Sequence, residues 1–210
     1  MKKNCTEVVF ILDRSGSMCG LEKDTIGGFN SLINKQKKQD GEVLVSTALF
    51  NDSSVVIHDR KPIDKVRLMT SKDYEVYGCT ALLDALGSSI RHIGNIHKYA
   101  RVEDVPEHTM FVIITDGMEN ASRYYSKERV KSMIEYEKEK YGWEFLFLAA
   151  NMDAIDTASQ YGIDKDHAVN YQCDSVGTRL NYEVLDEAIQ CICSGVPLSK
   201  SWKSKIEKRK

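Results

Sequence analysis

The sequence predicts an α/β fold. It is a three-layer, doubly wound arrangement with helices on both faces of a mostly parallel six-stranded sheet, and with one antiparallel edge strand. Three observations lead there. Strand-like and helix-like stretches alternate along the chain. Two short, nearly continuous apolar runs, Glu7 to Leu12 and Thr109 to Thr115, read as strands buried on both faces. A turn signal, Asn51-Asp52-Ser53, separates Val43–Phe50 from Ser54–His58 and makes that pair a hairpin at a sheet edge.

The elements follow in order. After the first strand, Ile26, Phe29, Leu32 and Ile33 share one face of a helix. The stretch from Arg60 to Tyr77, with Pro62 and mixed charges, reads as irregular. Thr80 then opens a helix whose stripe is Leu82, Leu86, Ile90 and Ile93. A helix from about Ser126 to Lys140 turns Val130, Met133 and Ile134 inward. Trp143 to Ala150 is a strand, Ala154 to Tyr161 a short helix and His167 to Tyr171 a weak edge strand. The closing helix carries Val176, Leu180, Val184, Leu185, Ala188 and Ile192. Right-handed crossovers joining such elements leave ligand sites outside the carboxyl ends of the strands, where the strand order reverses.

At 210 residues, 42% hydrophobic and 29% charged, the chain suits one soluble domain, expected over 1–194, with a tail over 195–210. That tail holds Lys200, Lys203, Lys205, Lys208, Arg209 and Lys210 against Glu207 alone, a net +5; the chain's total of −2 therefore leaves −7 on the rest. Periodicity fades after Gly195-Val196-Pro197, so the tail is expected to be solvated or weakly docked. Trp202 among its lysines is the one feature that would suit nucleic acid, and the acidic body argues against a broad nucleic-acid footprint. No apolar run approaches the ~18 residues of a membrane span, and the start Met1-Lys2-Lys3-Asn4-Cys5 lacks the pattern of a signal peptide. Six scattered cysteines with no Cys-x-x-Cys pair read as reduced thiols, so the expected location is cytoplasmic. Zinc is not expected, because His92 and His97, five apart, fall on different helix faces.

The chemistry lies in three loops. After the first strand, Asp13, Ser15 and Ser17 recur at alternate positions, so an extended loop aims three oxygens one way, with Gly16 permitting a tight backbone. The central strand ends Ile114-Thr115-Asp116-Gly117, placing a second carboxylate on the same rim, and Gly78-Cys79-Thr80 adds a hydroxyl at a helix start. Two carboxylates and three hydroxyls suit a small hard cation, Mg²⁺ first and Mn²⁺ second. If the hydroxyls bind directly and the carboxylates act through water, the ion keeps much of its charge for an outside anionic oxygen. Asp or Thr at a strand end can also serve only as a helix cap, but capping does not dictate this spacing on three loops.

Those residues resemble the metal-ion-dependent adhesion site (MIDAS) of von Willebrand factor type A domains of the intracellular prokaryotic type. The likeness rests on Asp-x-Ser-x-Ser at Asp13, Ser15 and Ser17, on Gly-x-Thr-Ala-Leu-x-Asp-Ala from Gly78 to Ala85, and on Thr-Asp-Gly-x-Glu-Asn from Thr115 to Asn120. It covers about Glu7 to Ile192; Cys79 departs from it, standing where a second glycine is common. The resemblance implies Mg²⁺ or Mn²⁺ on Asp13, Ser15, Ser17, Thr80 and Asp116, with an Asp or Glu of a protein partner completing the shell. It also implies a non-catalytic binding module within a larger assembly.

Around that site Arg14, Met18, Asn120, Arg123, Tyr124 and Tyr125 are expected to form a partner surface. The alternative is a metal-dependent phosphoesterase-like enzyme. An Asp-x-Asp phosphatase would need an acid where Ser15 stands, and no glycine-rich nucleotide motif or Gly-x-Ser-x-Gly elbow occurs.

Overall fold

The computed structural model describes residues 1–209. Its strands are β1 (Lys2–Asp13), β2 (Glu42–Phe50), β3 (Ser54–Pro62), β4 (Pro106–Thr115), β5 (Glu144–Ala149) and β6 (Ala168–Asn170). They form one sheet in the order β3-β2-β1-β4-β5-β6. Every neighbouring pair is parallel except β2 with β3. The helices are α1 (Glu22–Gln36), α2 (Leu82–Tyr99), α3 (Lys127–Tyr141), α4 (Ala154–Gln160), α5 (Ser175–Cys193) and the short α6 (Ser204–Glu207).

Alternation along the strands sorts the core into two layers, because successive side chains point to opposite faces. Val8, Phe10 and Leu12 of β1, with Met110, Val112 and Ile114 of β4, meet α1 and α5 through Phe29, Leu32, Leu185 and Ile189. Val9, Ile11, Phe111 and Ile113 face the other way, against Leu86 and Ile90 of α2 and Val130 and Ile134 of α3. The central strands are covered on both sides, which is why they read as unbroken apolar runs. The three-layer fold expected from the sequence is the one observed.

Several details differ from the sequence reading. β1 begins at Lys2, its polar start being held by backbone pairing to Pro106 before a register shift. β3 continues through Pro62, and Arg60 there pairs with the buried Glu7 at 2.7 Å. Thr80 does not itself open a helix: α2 starts at Leu82, and its first amides are capped from a distant loop, Leu83 by Glu119 at 2.8 Å and Asp84 by Ser122 at 3.0 Å. Val176, in the first turn of α5, is 50% exposed rather than part of the inner stripe.

The basic C-terminal segment is not a solvated tail. Trp202 and Ile206 are buried in the core layer beneath α5. The Trp202 indole donates to the Asp166 carbonyl at 2.9 Å, and Lys203 Nζ donates to the carbonyls of Lys165 and Ala168, both at 2.8 Å. Arg209 forks onto both oxygens of Asp174 at 2.8 Å. Two apolar anchors amid lysines show no periodicity over so short a stretch, so the docking was hidden in the sequence.

Two measurements check this docking. Trp202→Ala is expected to lower unfolding free energy in urea by about 3 kcal/mol, as for other buried aromatic truncations. A loss within about 0.5 kcal/mol, as for surface substitutions, would contradict it. Asp174 caps α5 by accepting from Gly177 N–H, and the Arg209 guanidinium holds its carboxyl down to about 2. A lowered folded value stabilises above the unfolded value of about 3.9 and is lost as pH falls. The melting-temperature gap between wild type and Asp174→Asn is therefore expected to be full above about pH 4 and to close toward pH 2.

Candidate metal centre

The strand order reverses between β1 and β4: the chain leaves β1 for β2 on one side, then crosses over through α2 to β4 on the other. The crevice at their carboxyl ends is where such sheets place ligands. Asp13 ends β1, and Asp116 follows the last residue of β4.

Thr115 joins the two. Its hydroxyl donates to Asp13 Oδ2 at 2.5 Å, while Ser15 N–H donates to Asp13 Oδ1 at 2.7 Å. Asp13 is thereby fixed through both oxygens, and the buried Tyr74 hydroxyl binds its carbonyl. Ser15 Oγ and Ser17 Oγ lie 3.0 Å apart, and Ser17 Oγ donates to Asp116 Oδ1 at 2.5 Å. Thr80 is clamped by Asn120, which accepts from the Thr80 amide at 2.9 Å and donates its own amide to the Thr80 carbonyl at 3.0 Å. Gly16 N–H to the Gly78 carbonyl, 3.0 Å, ties the first loop to the third.

The hydroxyls meet over Gly117. A Cβ built there would lie 2.7 Å from Thr80 Oγ1, 3.1 Å from Ser17 Oγ and 3.5 Å from Ser15 Oγ. Two loops thus bring their hydroxyls over the glycine of a third, leaving a space that even a methyl group would overfill. Burial pushes the Asp13 carboxyl above its ordinary value, against the hydrogen bonds from Thr115 and Ser15 that favour its charged form. A buried charge of this kind calls for a nearby cation. The residues fit a small divalent ion with oxygen ligands. Among the described residues no three His, Cys, Asp or Glu side chains converge as a metal site, so this centre depends on its hydroxyls.

The surrounding residues separate into two groups. Met18 is 1% exposed and belongs to the interior, and Arg14 is buried with its guanidinium 5.6 Å from the Tyr77 ring; neither presents a partner surface. The side-chain carbonyl of Asn120 is occupied by Thr80. Tyr125 packs over Gly87 and takes Arg129 on its ring at 4.9 Å. Arg123 and Tyr124 do face outward, Tyr124 at 79% exposure. They line a groove of about 760 Å³ with Arg91 that starts at Ala81, next to Thr80. The groove's acids are engaged: Asp84 accepts the amides of Arg123, Tyr124 and Tyr125, and Asp52 accepts that of Cys79.

Two participants escaped the sequence reading. Thr115 reads there as a strand residue and as the first position of the Thr-Asp-Gly-x-Glu-Asn stretch, without a role of its own in the site. Cys173 donates to Asp116 Oδ2 at 3.3 Å, and burial, reinforced by Asp116, pushes its thiol up to about 11. Its signal was positional: it follows β6 by three residues, on the same rim as the other loops. Cys79, where a glycine was expected, is exposed, while Gly78 at φ +78° makes the turn against Asp52.

No family model matches the sequence, and no curated protein matches it either. Solved structures do match. The vWF domain of the type V pili tip protein Mfa5 from Porphyromonas gingivalis is similar over 92% of this chain and 97% of that one, at 10% identity and a TM-score of 0.64. The fold is that of a von Willebrand factor type A domain. A von Willebrand factor type A protein from Catenulispora acidiphila is similar over 88% of this chain and 42% of that one, at 12% identity and a TM-score of 0.56. Proximal thread matrix protein 1 from the mussel byssus, in a structure with a zinc-occupied MIDAS motif, is similar over 90% of this chain and 47% of its own, at 14% identity and a TM-score of 0.60. This chain spans less than half the length of the solved chains it matches first, 47%, 42% and 45% of them.

Thr115→Val tests how the rim is held. Leaving Asp13 Oδ2 without its donor is expected to cost about 1–3 kcal/mol in urea unfolding. Unfolding energy equal to wild type would show that Thr115 does not position Asp13.

Proposed function

We propose that this chain is a metal-dependent protein-binding module without catalytic activity. Asp13, Ser15, Ser17, Thr80 and Asp116 hold Mg²⁺ or Mn²⁺, and an Asp or Glu of a protein partner completes the coordination. The observation that carries this reading is the meeting of the Ser15, Ser17 and Thr80 hydroxyls over Gly117, between two carboxylates from separate strands. The hard-oxygen donor set favours Mg²⁺ over zinc for this chain, although zinc occupies the motif in the mussel protein.

The chain's own groups do the positioning. Thr115 and the Ser15 amide keep Asp13 aimed at the rim, Ser17 orients Asp116, and Asn120 fixes Thr80. When bound, the cation supplies positive charge with room for one more anionic oxygen. The side chains bonded to the two carboxylates are hydroxyls and one thiol, a set suited to holding charge rather than to moving protons. Arg91, Arg123 and exposed Tyr124 extend the rim with cations and an aromatic ring, which suits an acidic segment next to the metal-bound residue.

We place the module in the cytosol, as part of a larger assembly. Six free cysteines are consistent with a reducing compartment. Among the described residues no helix is long and apolar enough to cross a membrane.

Millimolar Mg²⁺ or Mn²⁺ is expected to raise the melting temperature, and Asp13→Ala to abolish the shift. A wild-type melting curve indifferent to both ions would refute the site. In a pull-down from native cytosol, partners are expected to elute with EDTA and to be lost with Arg123→Glu. Partners retained through EDTA would place binding elsewhere.

A further inference from the structure

At the opposite end of β4 a second cavity, about 380 Å³, opens where α2 and α3 finish and β4 begins. The ten residues of β4 set it roughly 30 Å from the metal rim, at ~3.3 Å per residue. Its size falls in the range of about 300–1,000 Å³ usual for small-molecule sites. Gly94, Val102, Pro106, Glu137, Tyr141 and Trp143 line it.

The aromatic wall is rigid. The Trp143 ring stacks on Phe111, centroids 5.3 Å apart, and meets His97 edge-on at 5.4 Å. Beside it stands Glu137, 9% exposed, whose Oε2 has no hydrogen-bond partner among the described residues. Gly94 keeps the space between acid and indole open. A Cβ there would sit 3.1 Å from Glu137 Oε1 and 3.9 Å from the Trp143 ring.

Of the other charged groups of the cavity, His97, Glu107 and Lys98 have their own partners, while Met1, 65% exposed, also lines it. His97 donates to or accepts from the buried Glu7 at 2.7 Å, Glu107 accepts the Asn4 amide at 2.9 Å, and exposed Lys98 lies over the Tyr99 ring at 5.3 Å. Burial raises the Glu137 carboxyl above its ordinary value, opposed by His97 and Lys140. A buried acid left without a partner beside an aromatic face is the arrangement that a cation with an apolar body satisfies. The carboxylate takes the charge, and the indole takes the hydrocarbon and part of the charge through its ring.

We propose that this cavity is a binding site for a small organic ammonium with an aromatic or aliphatic body, its ammonium on Glu137 and its body against Trp143. The site stands independently of the metal rim. With Glu107 engaged by the Asn4 amide, the one free carboxylate would hold a metal ion poorly, and acids at the wall repel anions.

The test uses intrinsic fluorescence of the full chain in a Trp202→Phe background, which leaves Trp143 as its single tryptophan. Phenethylamine is titrated against 3-phenylpropionate, a probe of similar shape and opposite charge. Saturable change with the amine, at least tenfold tighter than with the acid, is expected. Glu137→Gln should weaken the amine at least tenfold while the melting temperature holds. Gly94→Ala, which narrows the space without removing any polar group, should weaken it as well. Equal binding of the two probes, an amine affinity untouched by Glu137→Gln, or no saturable signal at millimolar amine would each overturn the proposal.

Discussion

The hydrogen bond from Thr115 to Asp13 is the constraint on which the rim depends. It crosses from the end of β4 to the end of β1, so both carboxylate-bearing strands stop at a common level. The register that permits it is set by buried apolar pairs further down, Val8 with Met110 and Phe10 with Val112. Core packing therefore fixes where the oxygens stand, and a one-residue slip would turn Thr115 away from Asp13. Polar geometry at the edge is inherited from hydrophobic register in the middle.

The remaining loops are braced against one another rather than against the sheet. The start of α2 receives its caps from Glu119 and Ser122, and Asp84 of α2 returns the favour by accepting three successive amides from Arg123 to Tyr125. Asn120 locks Thr80 within the same exchange. Each side thus satisfies the other's unpaired backbone groups, which a helix start and an irregular loop would otherwise leave to water. The Thr80 backbone, and with it the position of its hydroxyl, is held by Asn120, 40 residues away in sequence.

That mutual bracing explains what the sequence could and could not disclose. The alternate spacing of Asp13, Ser15 and Ser17 placed them together, although the loop is a 3-10 turn over Gly16–Met18 rather than extended, and Asp116 was legible because it follows an unmistakable buried strand. The sheet was legible for the same reason: strands covered on both faces leave continuous apolar runs. The bond from the Thr80 amide to Asn120, which is itself exposed, was not legible because it crosses between loops that only the folded chain brings together. Met18 was misread because a methionine beside a polar loop carries no sign of the depth at which it sits. Cys173 went unseen since its relation to Asp116 exists only once β6 has joined the sheet. Trp202 hid among lysines whose stems and ammonium groups, in the case of Lys203, bury along with it.

The docked C-terminal segment has a consequence for the sheet's two edges. A bare edge strand offers unpaired backbone groups to any other chain. Lys203 Nζ already occupies the carbonyl of Ala168 in β6, and Trp202 covers the turn that leads into it. β6 is also only three residues long. The opposite edge, β3, is nine residues long and carries Val55 and Val56 exposed near its start. The sheet is therefore guarded on one flank by its own last residues and open on the other. Of the two edges, β3 is the longer and the less covered by the chain's own residues.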